Sequence, residues 1–217
     1  MSKIDFDAAR KRMVMGQIAA RGITSQRVLD AFLEVPRHLF VPPNQRLYAY
    51  QDGPLPIGLG QTISQPYIVA YMTDKLCLTG DEILLEIGTG SGYQAAILGE
   101  LAREVHTIER HPRLAANAGQ LLKDLGYSNI IIHEGDGTHG LPEYAPYQGV
   151  MVTAAAPEVP QPLLDQLAEG GRLVIPVGGR GGQLLQLFRC VEGEIQREDL
   201  SPVAFVPLIG DHGWPSN

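Results

Sequence analysis

A short apolar run that breaks into three closely spaced glycines constrains this chain more than any other feature. In LLEIGTGSGYQAA, Leu84 to Ala96, the run reads as a buried strand, the glycines as a tight turn, and the remainder as the start of a helix. Glycine lets a backbone turn sharply and lets a ligand come close to it. In an open α/β sheet such a turn lies at the carboxyl end of a strand, where ligands bind. Gly88, Gly90 and Gly92 are spaced Gly-x-Gly-x-Gly. The third glycine comes one position earlier than in the dinucleotide fingerprint Gly-x-Gly-x-x-Gly. Glu86 stands just before the turn, where a carboxylate repels a pyrophosphate and favours a cationic sulfonium or amino group. A purely structural turn is the plain alternative. Ser91 sits in the wrong place for a hydrolase elbow.

The sequence around that turn alternates strand and helix. Strands are expected at Glu82 to Ile87, Glu104 to Glu109, Asn129 to His133 and Gly149 to Val152. Helices are expected at Tyr93 to Ala102, Pro112 to Leu125 and Leu163 to Ala168, the last ending at Gly170-Gly171. Arg172 to Val177 and Leu184 to Val191 read as two strands joined by a glycine-rich turn. Alternation of this kind predicts a mostly parallel sheet with helices on both faces, and the final pair predicts an antiparallel edge.

The first 77 residues read differently. A helix is expected near Asp5 to Arg21. A second is capped by Thr24 or Ser25, with Val28, Leu29, Phe32 and Leu33 on one face, and is ended by Pro36. Pro36 to Pro66 is rich in proline and glycine yet carries Leu55, Ile57, Leu59 and Ile63, which marks a functional loop rather than disorder. Pro66 then suits the first position of a helix running to about Leu76. The whole is expected to be one domain, 1–217, with 1–77 as helices and loop and 78–217 as the ligand-binding core.

Two more residues fall at strand ends. Glu109 lies about 20 residues past the glycine loop, where a carboxylate accepts from both hydroxyls of a ribose. A charge favouring the nearby helix N-terminus is the other reading. In Gly135-Asp136-Gly137 the acid can accept from the exocyclic amine of adenine, with Gly137 leaving room for the ring. By itself that tripeptide is an ordinary turn; in register with the other two signals it reads as part of a ligand site.

Charge and composition limit the partners. The net charge of −7 argues against nucleic acid as the main ligand. No apolar stretch is long enough to span a bilayer. The charged N-terminal segment does not resemble a signal peptide, and Cys77 and Cys190 are too few for a disulfide framework, so a cytoplasmic setting is expected. His38, His106, His111, His133, His139 and His212 show no metal-ligand spacing, and no metal is expected. Arg197-Glu198-Asp199 reads as a solvated turn, and Asp52 as a turn residue or part of a substrate mouth.

Taken together, these features resemble the class I S-adenosylmethionine-dependent methyltransferases. Further segments resemble one family among them, the protein-L-isoaspartate O-methyltransferases: PLPIGLGQTISQPYIVAYM (Pro54 to Met72), VPRHLFVP (Val35 to Pro42), VTAAAPEVPQPLLDQL with GGRLVIPVG (Val152 to Gly178), and FVPL (Phe205 to Leu208). The resemblance implies a Rossmann-like doubly wound α/β fold with an N-terminal helical extension. It implies methylation of the free α-carboxylate of L-isoaspartyl residues in damaged proteins and peptides, leading to repair through a succinimide. By similarity, Ser64 maps to the active-site serine with Thr62 beside it. Glu86, Gly88, Thr89, Gly90, Ser91, Glu109, Asp136 and Gly137 map to the cofactor site, which Gln65 and Tyr67 also approach. A monomer acting on proteins is expected, with neither nucleic acid nor membrane as partner. The chain departs from the family at Gln148, where Asp is usual, and at Ala204, where some members carry Arg. Two rival readings are a methyltransferase with another substrate and an NAD-binding domain.

Overall fold

A computed structural model describes residues 5–179 and 181–215. Helix α1 (Phe6–Met13) starts at Asp5, whose carboxylate accepts from the Ala8 N–H at 2.9 Å. It runs on through a π turn (Val14–Ile18) and a 3-10 turn (Ala19–Arg21), so the expected helix is one continuous path with changing winding. Helix α2 (Gln26–Glu34) buries Val28, Ala31 and Phe32; Ser25 holds the cap position without a side-chain cap bond. The proline-rich stretch contains 3-10 turns at Arg37–Leu39 and Pro43–Tyr48 and a small hairpin, β1 (Leu55–Gly58) and β2 (Gln61–Ile63). Helix α3 (Pro66–Leu76) begins at its proline, whose missing N–H costs nothing at a first position.

The main sheet contains β3 (Ile83–Ile87), β4 (Glu104–Glu109), β5 (Ile130–Glu134), β6 (Tyr147–Val152), β7 (Leu167–Gly179), β8 (Gly182–Val191) and β9 (Glu194–Val203). Their order is β5-β4-β3-β6-β7-β8-β9. Pairing is parallel from β5 to β7, and β8 is antiparallel to both of its neighbours. Helices α4 (Tyr93–Gly99) and α5 (Pro112–Asp124) cross over after β3 and β4, and α6 (Gln161–Asp165) precedes β7. This is the expected Rossmann-like arrangement. The chain winds outward from β3 to β5 and returns to β6, which makes the β3/β6 boundary a topological switch point.

The core forms on both sides of the sheet. On one side Leu84, Val105, Met151 and Val174 meet Met72 and Leu76 of α3 and Leu98 of α4. On the other, Leu85, Ile87, Val150, Val152 and Ile175 meet Leu163 and Leu164 of α6. The N-terminal helices join the same body, with Val14, Ile18 and Phe32 clustered with Ala95 and Ile97 of α4.

Three expectations need correction. Helix α4 stops at Gly99, short of Ala102, and leads into a turn. Helix α6 ends at Asp165, and β7 begins at Leu167 and runs through Gly170-Gly171 instead of after them. A Cβ on Gly171 would meet the Ala168 and Tyr147 carbonyls at 2.7 and 2.8 Å, so the glycine pair serves a close backbone approach inside a bulged strand. Arg197-Glu198-Asp199 is not a turn but part of β9, where Phe188 of β8 pairs with Arg197. Both faces of that half of the edge strand are exposed, so it carries no apolar alternation to read.

Candidate functional site

The glycine loop is shaped by backbone geometry and by one hydroxyl. Gly88 has φ of +96°, and a Cβ there would stand 2.5 Å from Thr153 Oγ1 at the end of β6. Thr153 donates its hydroxyl to the carbonyls of Ile87 and Gly88, at 2.9 and 2.8 Å. The amides of Gly88 and Thr89 donate across to the Ile108 carbonyl. The loop is thus tied to the ends of both strands that flank β3. The sequence places Thr153 in the family-like segment from Val152 but does not show this role, because its partners lie 65 and 66 residues away.

Glu109, at the end of β4, is 5% exposed. Its Oε2 accepts from the Gly90 amide at 2.8 Å and its Oε1 from the His111 amide at 2.9 Å. A carboxylate has about four acceptor sites, so one on each oxygen remains for further donors.

Glu86 departs from its expected part. It is completely buried, and a chain of hydroxyls joins its Oε2 through Thr107 to Thr89. Burial, with a smaller push from the Glu109 charge, raises its pKa to about 8 against the pull of the Thr107 hydrogen bond. At neutral pH it is therefore mostly a neutral acid under the loop, and it does not offer a negative charge to a cation in the cleft.

Asp136 is held by the C-terminal segment. Its Oδ1 accepts from the amide and hydroxyl of Thr138, and its Oδ2 from the Asp211 amide at 2.7 Å. Those amide donors hold its pKa below the usual carboxylate range, although burial opposes them. Gly137 also needs a new explanation. A Cβ on it would come 2.5 Å from Ile87 Cγ2, so the glycine permits close packing on β3 rather than room for a ring. His139 and Asp211 gather round Asp136, their ligand-type atoms within 4.8 Å of one another, and His139 Nε2 lies 3.0 Å from Asp211 Oδ2.

These elements enclose one cleft at the switch point, with about 990 Å³ of empty space, part of it open to solvent. On one wall are Gly88, Thr89, Gly90, Ser91, Glu109 and Gly137; on the other are Thr62 and Ser64. Phe205 to Ile209 close a third side. Thr62 and Ser64 also line an adjoining groove with Gln65, Thr153 and Ala204. Asp136 lines a further space beside the Gly135 end of the cleft. Tyr67 lines none of these: the Arg21 guanidinium lies 3.5 Å over its ring and Tyr71 stacks beside it. Asp52 pairs with Arg21 at 3.1 Å and accepts from Gln65 through its carbonyl. Gln148 accepts from the Ile83 amide at 2.7 Å, joining the start of β3 to β6, a structural task far from the cleft.

The arrangement can hold a nucleoside-bearing ligand along the ends of β3 and β4 while presenting one end of it to Thr62 and Ser64. Residues 8–213 match the family described as protein-L-isoaspartate(D-aspartate) O-methyltransferase. The chain is 56% identical to protein-L-isoaspartate O-methyltransferase 1 of Syntrophobacter fumaroxidans, over 97% of this chain and 99% of that one. A solved protein-L-isoaspartate O-methyltransferase shares the fold at a TM-score of 0.85 and 29% identity, over 94% of this chain and 67% of that one. A Plasmodium falciparum protein solved in complex with S-adenosyl-L-homocysteine superposes at 0.81 with 24% identity, over 95% of this chain and 99% of that one.

Proposed function

The chain belongs to the protein-L-isoaspartate O-methyltransferase family, and from that membership and the cleft we propose its reaction and the residues that perform it. It transfers a methyl group from S-adenosylmethionine to the free α-carboxylate of L-isoaspartyl residues in damaged proteins and peptides. The ester then closes to a succinimide, whose hydrolysis returns some normal aspartate. The observation that carries this reading is a single cleft that joins the glycine loop and Glu109 to Thr62 and Ser64.

The residues present fit the cofactor. Its ribose would find the two unfilled acceptor positions of Glu109, and Asp136 Oδ2 keeps one for an adenine amine beside its bond from Asp211. Gly88, Thr89, Gly90 and Ser91 supply the wall beside it, backed by the Glu86–Thr107–Thr89 chain. When bound, S-adenosylmethionine supplies an activated methyl group on a sulfonium. Tyr67, which stacks with Arg21 and Tyr71 and does not line the cleft, is assigned no contact with the cofactor, and Gln65 lines the peptide groove.

The residues of the chain have to orient and to exclude water. A carboxylate is already a nucleophile at neutral pH, so this transfer requires neither a general base nor a metal. Ser64 donates a hydrogen bond that orients the substrate carboxylate, and Thr62 flanks it. Orientation of this kind can supply about 7–11 kcal/mol of a barrier. Phe205 to Leu208 close the cleft against solvent. The groove through Thr62, Ser64 and Ala204 continues from the cleft and suits the flanking peptide.

The two parts of the chain act as one domain, residues 1–77 contributing the substrate side and 78–217 the cofactor side. We place the enzyme in the cytoplasm as a monomer acting on proteins. Both cysteines are free, and no helix among the described residues is long and apolar enough to cross a membrane. Sedimentation tests the monomer. The reaction is tested with labelled S-adenosylmethionine and paired peptides carrying L-isoaspartate or L-aspartate at one position. Base-labile label on the isoaspartyl peptide alone is expected; equal label on both, or on neither, removes the assignment.

A further inference from the structure

Arg37 is completely buried, and among the described residues no carboxylate pairs with it. An arginine is seldom buried unpaired, because desolvating its charge is costly. Here two of the three guanidinium nitrogens donate to backbone carbonyls, while the buried Nη1 has no hydrogen-bond partner among the described residues. Nε donates to Ala49 O and Nη2 to Ser64 O, each at 2.7 Å. These carbonyls stand at the two ends of the segment that carries the β1–β2 hairpin, so one planar group closes that whole loop. Its Cζ lies 4.8 Å from the ring centre of Tyr93, the first residue of α4 and a lining residue of the cleft. Burial lowers its pKa to about 10, which leaves it charged at neutral pH. A rigid fork that reaches two carbonyls at fixed angles is a property of arginine that lysine lacks.

We infer that Arg37 is a positioning residue for the methyl transfer: by gripping the Ser64 carbonyl above the start of α4, it sets where the Ser64 hydroxyl stands relative to the glycine-loop wall of the cleft. The inference rests on the reading of Ser64 as the group that orients the substrate carboxylate. Arg37 touches no substrate and acts only through the backbone of the loop and the Tyr93 ring.

The test compares Arg37→Ala, Arg37→Lys, Ser64→Ala and the double variant Arg37→Ala/Ser64→Ala. Methyl transfer to the isoaspartyl peptide is measured at saturation, and affinity for S-adenosylhomocysteine by calorimetry. Each assay is repeated in millimolar guanidinium chloride, with sodium chloride as control. Arg37→Ala is expected to bind S-adenosylhomocysteine within a few-fold of the parent while kcat falls about a hundredfold, the scale of a misplacement of about 1 Å. Guanidinium, but not sodium chloride, restores part of that rate. Arg37→Lys keeps the affinity and lies between parent and Arg37→Ala in rate. The double variant is no slower than the slower single one, because two residues acting as a unit do not lose independently. If Arg37→Ala does not fold, Arg37→Lys carries the same comparison of rate and affinity. A full rate in Arg37→Ala, a loss of affinity in step with rate and without guanidinium recovery, or multiplying losses in the double variant would each overturn the inference. A full rate in Ser64→Ala removes the reading of Ser64 and the inference with it; a slow Ser64→Ala beside a fast Arg37→Ala removes the inference alone.

Discussion

Two side chains beside the glycine loop, buried Glu86 and half-buried Thr153, give predictions that can be measured. Glu86 has a folded-state pKa of about 8, above the 4.5 of an ordinary glutamate, with burial as the main cause. The folded protein therefore holds this proton where the unfolded chain has released it. Stability from this group is complete below pH 4.5 and is lost as the pH rises toward 8. Glu86→Gln does not titrate, so its melting temperature should gain on the parent between about pH 5 and 8 and level off above. Melts at pH 5, 7 and 9 decide it, and a constant difference would refute the raised pKa. Thr153→Val keeps the shape but leaves the Gly88 carbonyl without its hydroxyl partner. A loss of about 1–3 kcal/mol in urea unfolding is expected, with weaker cofactor binding. At this scale the sequence exposed residue types at strand ends but not their partners. Glu86 is drawn as a charge by its one-letter code, and only its complete burial reveals a neutral acid.

At the level of elements, Glu109 ties two together: one oxygen holds the glycine loop at Gly90 and the other the start of α5 at His111. Glu109→Ala removes both bonds and the acceptors proposed for ribose. Hydrogen bonds to a charged group contribute about 1.5–3 kcal/mol each, so cofactor affinity should fall at least about tenfold. Calorimetric titration with S-adenosylhomocysteine measures this, and an unchanged affinity would remove the ribose role. Most elements here were legible because each carried its own punctuation. Pro66 and Pro112 open α3 and α5 as expected, and β4 runs from Glu104 to Glu109 as read. The misread ones lacked a local signal. The end of α6 and the start of β7 depend on pairing between Tyr147 and Leu167, and polar β9 is a strand only because β8 offers it an edge.

For the whole molecule, the cleft is assembled from segments spread between Gln61 and Ile209, so a ligand within it should bind the folded chain and not the unfolded one. Linkage then gives about 2.7 kcal/mol at a ligand concentration of a hundred times Kd. For a chain of this size that corresponds to a rise in melting temperature of about 5–10 °C with S-adenosylhomocysteine. NAD should give none; stabilisation by NAD instead would overturn the cofactor. The sequence by itself determined the alternation of strand and helix, the glycine turn at a strand end and the acids that follow the next two strands. These are local: period, punctuation and spacing are written in neighbouring residues. The tertiary structure decided that burial raises the pKa of Glu86, that Gly137 serves packing on Ile87, and that Tyr67 stacks under Arg21. It also decided that Thr153 and Arg37 hold the two walls. Burial and long-range partners set each of these, and they exist only once distant segments have closed on one another.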